Sequence, residues 1–294
     1  MWPYRDRRRL FLKLENLQPI GAFKLRGAYN KIASLSEADR SRGVITYSSG
    51  NHAQGVAYAA KTLGIKAVIV MPNNAPKSKH KATAALGAEI VVVGPGSRER
   101  QLTAESLAAL HGYVIVPPFN DEKIIAGQGT IGLEIFEDFP EVETVLVPVS
   151  GGGLISGIAA ALKLSNPAIR VIGVEPELAA DAQASLRAGR IMEFPADQVS
   201  RTMADGLRVQ SLGNITFEHM RSYVDDIVTV SEAEIYEAVR RLAANPKTVA
   251  EPSGAVAAAA FWFHASKLPQ TILNVVIVSG GNIEPLLLQE ALEG

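Results

Sequence analysis

Val145-Leu146-Val147-Pro148-Val149 runs directly into Ser150-Gly151-Gly152-Gly153-Leu154, and an apolar helical stretch over residues 155–164 follows. A β-branched run, a glycine turn and a 3.6-period segment in that order read as strand, loop and helix. Working outward, residues 10–14, 44–47, 66–71, 89–93, 113–116, 170–174 and 274–278 read as further strands, with helical stretches between them. Such repeated alternation predicts an α/β fold of mainly parallel sheets flanked by helices, joined by right-handed crossovers. Gly and Pro fall at strand ends, as in Met71-Pro72-Asn73-Asn74 and Gly94-Pro95-Gly96, so the loops are short. The alternation is interrupted at Pro117-Pro118-Phe119-Asn120. A two-lobed organisation is therefore expected: residues 1–33 and 119–294 as a large lobe, residues 34–118 as a small one.

The composition narrows the function. With 294 residues, 47% of them hydrophobic, there is ample material for a buried core. A net charge of −1 gives no broad field for nucleic acid or a membrane surface, and points instead to a small-molecule partner. The absence of cysteine excludes disulfides, thiolate metal sites and a cysteine nucleophile, and fits a reducing cytoplasm. The N-terminus has no apolar signal stretch, and its cluster of Arg5, Arg7, Arg8 and Arg9 reads as a solvated face.

Three loops that end strands carry the chemistry. In Ser150–Leu154, glycines let the backbone approach a phosphate, and a helix start supplies N–H groups and positive partial charge. A tight strand-to-helix turn would need glycine anyway, and the loop is not a dinucleotide fingerprint. Ser48-Ser49-Gly50-Asn51-His52 places two hydroxyls, an amide and an imidazole at another helix start, suited to a carboxylate; a plain N-cap is the alternative. Ser279-Gly280-Gly281-Asn282 ends the last strand with a hydroxyl, a neutral partner for a pyridine nitrogen unless Ser279 is a turn residue only. Loops beyond the carboxyl ends of parallel strands are expected to converge on one cleft. To these is added Lys24, in Gly21-Ala22-Phe23-Lys24-Leu25-Arg26-Gly27, whose amine can form a Schiff base. One lysine with three such loops is equipment for pyridoxal 5'-phosphate.

Read together, Lys13-Leu14-Glu15-Asn16-Leu17-Gln18-Pro19, Phe23-Lys24, the Ser48 loop, Ile125-Ala126-Gly127-Gln128-Gly129-Thr130, the Ser150 loop, Ala204-Asp205-Gly206-Leu207-Arg208, Glu251-Pro252-Ser253-Gly254-Ala255 and the Ser279 loop resemble the serine/threonine dehydratase and serine racemase group. These are fold-type II pyridoxal-phosphate enzymes, tryptophan synthase β-like. The resemblance implies that Lys24 is the Schiff-base lysine, Phe23 packs on the ring, and Asn51 meets the cofactor's 3'-oxygen. It implies Ser150, Gly151, Gly152, Gly153 and Leu154 around the phosphate and Ser279 on the ring nitrogen. Ser48, Ser49, Asn51 and His52 would hold the substrate carboxylate, and Ser49 is the acid/base of racemising members. It further implies a divalent ion, magnesium by its oxygen donors, at Glu175, Ala179 and Asp181. Ordinary helix-entry acids are the other reading of that pair. The resemblance also implies that residues 34–118 are the mobile, substrate-binding lobe, and a homodimer is the group's usual form.

The expected activity is a dehydratase (ammonia-lyase) converting L-serine or L-threonine to the 2-oxo acid and ammonia. Racemisation, or elimination from a bulkier 3-hydroxy amino acid such as 3-hydroxyaspartate or phenylserine, uses the same parts. A Rossmann-like nucleotide binder and a non-catalytic amino-acid sensor are rivals of other classes. The chain departs from the group at Ile20, at Pro117 in place of a frequent histidine, and in having only 23 residues before Lys24. It also stops soon after the Ser279 loop, where no feedback-regulatory domain is expected. His80, His111, His219 and His264 read as structural or exposed, and Glu232, Glu234, Arg240 and Arg241 as a solvated helix surface with spaced charge pairs.

Overall fold

The computed structural model describes residues 2–3, 8–244 and 247–293. Its strands are β1 (Trp2–Pro3), β2 (Arg9–Leu14), β3 (Val44–Tyr47), β4 (Ala67–Pro72), β5 (Glu89–Val93), β6 (Val114–Ile115), β7 (Thr144–Pro148), β8 (Arg170–Pro176), β9 (Asp226–Val230) and β10 (Leu273–Val278). They form two sheets, ordered β1-β2-β10-β7-β8-β9 and β5-β4-β3-β6. Among these strands every pairing is parallel except β1 with β2. The fold is thus α/β with two mainly parallel sheets flanked by helices, as the alternation predicts.

The chain divides into two compact units, Met1–Phe23 with Gln128–Gly294, and Lys24–Gly127. The division expected from sequence places residues 24–33 and 119–127 with the larger part. Helix Lys24–Ala33 is counted with the smaller unit because it packs along helix Asn51–Thr62. Gly55 permits that closeness, since a Cβ there would lie 3.1 Å from the Lys24 carbonyl oxygen.

In the larger unit, side chains alternate across the sheet with the period of two that a strand imposes. Leu146, Val276 and Val278 face helix Pro252–Phe263, whose residues through Trp262 are all buried. Val145, Val147, Val275 and Ile277 face the opposite way, toward Ile155, Ile158 and Leu162 of helix Gly153–Ser165. The run of alanines in helix Pro252–Phe263 lets it lie close on the sheet. In the smaller unit, Ile45, Val68 and Val70 pack with Ala104 and Leu107 of helix Ser97–His111.

Three sequence expectations need correction. Strand β9, Asp226–Val230, adds to the strands expected from sequence. Arg8 is not solvated: it is 7% exposed, with its guanidinium carbon 4.8 Å from the ring centre of Phe261; Arg5 and Arg7 lie outside the described residues. Arg240 and Arg241 pair with Glu237, whereas Glu232 accepts from the Met203 N–H and Glu234 caps Ser231 and meets His264.

Candidate active site

In the larger unit, β7 ends at Pro148 and the chain turns through Ser150 to Gly152 into helix Gly153–Ser165. Gly152 has φ +88°, in the left-handed region, and a Cβ there would lie 2.8 Å from Met220 Sδ and 2.9 Å from Thr216 Cβ. Glycine is therefore required by backbone and by space. The buried Thr216 hydroxyl shares its proton between the Gly151 carbonyl at 2.7 Å and that of Gly213 at 3.0 Å. Thr216 was missed from sequence, where its only mark is a place in the first turn of helix Asn214–Tyr223. The first N–H groups of helix Gly153–Ser165 face the loop without helical partners of their own. Ser150 Oγ is buried and has no hydrogen-bond partner. An orphaned hydroxyl beside a glycine turn and a helix N-terminus fits an anion of phosphate type.

β10 is the hydrogen-bonded neighbour of β7, so the Ser279 loop emerges at the same end of the sheet. Ser279 is buried, and its carbonyl accepts the Phe23 N–H at 3.0 Å. Three more contacts continue the pairing: Ala22 bridges to Gly280, the Gly281 N–H donates to the Gly21 carbonyl at 2.9 Å, and Asn282 Nδ2 donates to the Ile20 carbonyl at 2.9 Å. Gly21, at φ +71°, admits this approach because a Cβ would lie 2.6 Å from Asn282 Oδ1. Residues 20–23, the lead-in to Lys24, are thereby laced to the Ser279 loop, and the unusual Ile20 is buried within that lacing. Asn16 is structural: its Nδ2 donates to Thr248 Oγ1 and the Val249 carbonyl, both at 2.8 Å.

Also in this unit, Glu175 closes the end of β8 and accepts N–H bonds from Ala182 at 3.0 Å and Gln183 at 2.8 Å. Glu175 is 0% exposed and Asp181 1%; Ala179 is buried between them in sequence. Burial, then the neighbouring Asp181 charge, raise the Glu175 carboxyl well above its ordinary range. Burial likewise pushes Asp181 up to about 7, and neither of its side-chain oxygens has a hydrogen-bond partner. Unpartnered buried carboxylate oxygens beside a second carboxylate suit a hard cation. Among the described residues no three His, Cys, Asp or Glu side chains gather as metal ligands, so such a site would need backbone carbonyls and water.

In the smaller unit, Lys24 opens helix Lys24–Ala33, and its Nζ donates to the Pro118 carbonyl at 2.8 Å. Burial lowers its amine from 10.5 to about 8. The lowered value raises the neutral share of the amine at physiological pH, and the neutral form is what acts as a lysine nucleophile or base. His52 is 3% exposed and lies 3.0 Å through Nε2 from the Val116 carbonyl, which can only accept. Burial, then the Lys24 charge, depress its imidazole to about 3, so the ring is neutral. Its side chain is committed to Val116, and its backbone N–H lies in the first turn of helix Asn51–Thr62, where the helix itself supplies no acceptor. Ser48 Oγ accepts the Gly50 N–H at 3.3 Å, Ser49 follows in the same bend, and Asn51 begins the helix. The structure thus joins Phe23 to Ser279 in one unit and Lys24 to His52 in the other.

Known proteins resemble this chain along most of its length. The chain is 50% identical over 276 residues to the L-threonine ammonia-lyase of Thermotoga maritima, covering 94% of this chain and 67% of that protein. Among solved structures, the processed form of threonine deaminase isoform 2 from Solanum lycopersicum superposes with a TM-score of 0.91 at 38% identity, covering 98% and 84% of the two chains. Maize serine racemase superposes with a TM-score of 0.91 at 40% identity, covering 97% and 87%. The family described as pyridoxal-phosphate dependent enzyme matches residues 4–280, and the chain belongs to it.

Proposed function

We propose that this protein is a pyridoxal-phosphate dependent ammonia-lyase that eliminates water from L-threonine, and from L-serine, the released enamine then tautomerising and taking up water to give ammonia and the 2-oxo acid. The observation that carries the reading is the 50% identity, across 94% of the chain, to an L-threonine ammonia-lyase. The local chemistry supports it. When bound, the cofactor makes the α-proton of an attached amino acid acidic and draws off its electrons as the β-hydroxyl leaves.

The chain's own residues supply the rest. Lys24 Nζ, its charge disfavoured by burial, accepts the α-proton. Ser150, Gly151, Gly152, Gly153 and Leu154 hold the phosphate through backbone N–H groups and the Ser150 hydroxyl. Ser279 offers the ring nitrogen a neutral hydroxyl, which keeps the electron sink weak and favours prompt elimination. Phe23 packs on the ring, and Asn51 donates to the 3'-oxygen. Ser48, Ser49, Asn51 and the His52 backbone orient the substrate carboxylate. Glu175, the Ala179 carbonyl and Asp181 hold a divalent cation of magnesium type, which neutralises two buried acids and steadies the turn after β8. The protein works as a cytoplasmic homodimer, in keeping with its cysteine-free composition and the frequency of two-fold assemblies.

A second reading is racemisation, favoured by the 40% identity to maize serine racemase and by the presence of Ser49. One experiment separates the two. Purified protein is given L-threonine and L-serine, and the 2-oxo acid and the enantiomers of residual serine are followed together. Oxo acid without D-serine is expected, and Lys24→Ala should abolish both turnover and the bound cofactor's absorption band. Ready turnover by that variant refutes the assignment.

A further inference from the structure

Pro117 and Pro118 have no part in the roles above, yet the segment around them is fastened with unusual care. At its front, the buried Val116 carbonyl accepts two side-chain bonds, from Thr46 Oγ1 at 2.7 Å and His52 Nε2 at 3.0 Å. At its rear, Asp121 Oδ2 receives Lys31 Nζ at 2.6 Å, while Oδ1 accepts the N–H groups of Lys123 at 2.8 Å and Ile124 at 3.1 Å. Asn30 Nδ2 adds a bond to the Lys123 carbonyl at 2.7 Å. Between these anchors the two prolines offer no N–H donor, only carbonyls. One of those, the Pro118 carbonyl, receives Lys24 Nζ.

The spacing on the partner element matches. Lys24 and Lys31 stand seven positions apart on helix Lys24–Ala33, close to two helical turns, so both lie on one face. The helix therefore meets the segment at two points, with Lys24 at one and Lys31 at the other.

We propose that Val116–Asp121 is a positioning strip for the Lys24 amine, held in register by the Lys31–Asp121 ion pair at one end and by Thr46 and His52 at the other. The inference rests on the reading of Lys24 as the cofactor lysine. A carbonyl that takes one N–H restricts where the amine, and with it the nitrogen lone pair, can point. In attack on the cofactor aldehyde the amine nitrogen forms a C=N bond, and the aldehyde oxygen leaves as water with two amine hydrogens. Lys31 and Asp121 touch neither cofactor nor substrate and act only through the strip.

The test is cofactor capture. Cofactor-free full-length protein is mixed with excess pyridoxal phosphate, and growth of the bound absorption band is timed across pH. Lys31→Met keeps the aliphatic stem but loses the charge, Asp121→Asn keeps the Oδ1 cap, and Lys31→Arg keeps the ion pair. Lys31→Met and Asp121→Asn should capture the cofactor on the order of tenfold more slowly, as expected for a misplaced reacting group. Their pH–rate midpoints should rise, because an amine freed from the strip gains water. Lys31→Arg should stay near wild type. Wild-type rates and midpoints in Lys31→Met and Asp121→Asn, with denaturant midpoints lowered, overturn the proposal; so does a Lys31→Arg variant as slow as Lys31→Met. A bound band persisting in Lys24→Ala would instead refute the lysine assignment itself.

Discussion

Replacing Lys24 by methionine should stabilise the cofactor-free protein at neutral pH and destabilise it in alkali. Burial lowers the amine from 10.5 to about 8, and by linkage that fall is equivalent to about 3 kcal/mol. The sign follows from proton binding: between these two values the unfolded chain binds more protons than the folded one. The folded wild type therefore carries the whole penalty below about pH 8, sheds it as pH rises, and is free of it above about pH 10.5. Methionine carries no penalty at any pH. It does leave the Pro118 carbonyl without its 2.8 Å donor, at a cost of about 1 kcal/mol. The net expectation is a gain of about 2 kcal/mol at pH 7 and a loss of about 1 kcal/mol above pH 10.5, with the curves crossing near pH 10. Urea unfolding of both cofactor-free proteins, followed by circular dichroism at several pH values, measures the difference. A variant less stable than wild type at pH 7, or a difference that does not vary with pH, would refute the reasoning.

Three further expectations concern the loops and the acid pair. Gly152→Ala forces a side chain into φ +88° and against Thr216; a loss of about 1–3 kcal/mol is expected in thermal or urea unfolding. Ser150→Ala removes a buried hydroxyl that has no partner, so stability of the cofactor-free protein should hold or rise, while titration shows cofactor affinity falling by at least about tenfold, the worth of one hydrogen bond to a charged group. Magnesium should raise the thermal midpoint of wild type and leave Asp181→Ala unmoved; equal shifts in both would sink the Glu175–Asp181 site.

Much of the larger unit was legible because its signals are local. The run from Val145 to Gly153 carries strand, turn and helix start within nine residues, and the Ser279 loop repeats the device. β9 was missed although Ile227, Val228 and Val230 are there to be read, because Asp225 and Asp226 precede them like a loop. Burial alone would raise the Asp225 carboxyl, yet bonds from Lys163, the Val171 N–H and Arg170 hold it below its ordinary range, so this acid belongs to the sheet's edge. The surroundings of Lys24 were illegible for a different reason. Its Pro118 partner is 94 positions away, and no propensity or period connects them. The same distance hid the commitment of the His52 ring to Val116, 64 positions on. Pro117-Pro118 read as punctuation from sequence, because a carbonyl acceptor has no residue signature.

The place of β10 between β2 and β7 has a consequence for birth on the ribosome. β2 is complete at residue 14, but the strand that pairs with it along its whole length ends at residue 278. At about 5–20 residues per second, that wait lasts some tens of seconds. The edge of β2 must pass this interval unpaired or covered by something else. The lacing of residues 20–23 to the Ser279 loop waits equally long, so the stretch leading into Lys24 is among the last to be set in place. A nascent chain can thus complete the Ser150–Gly152 turn well before the stretch leading into Lys24 is fixed.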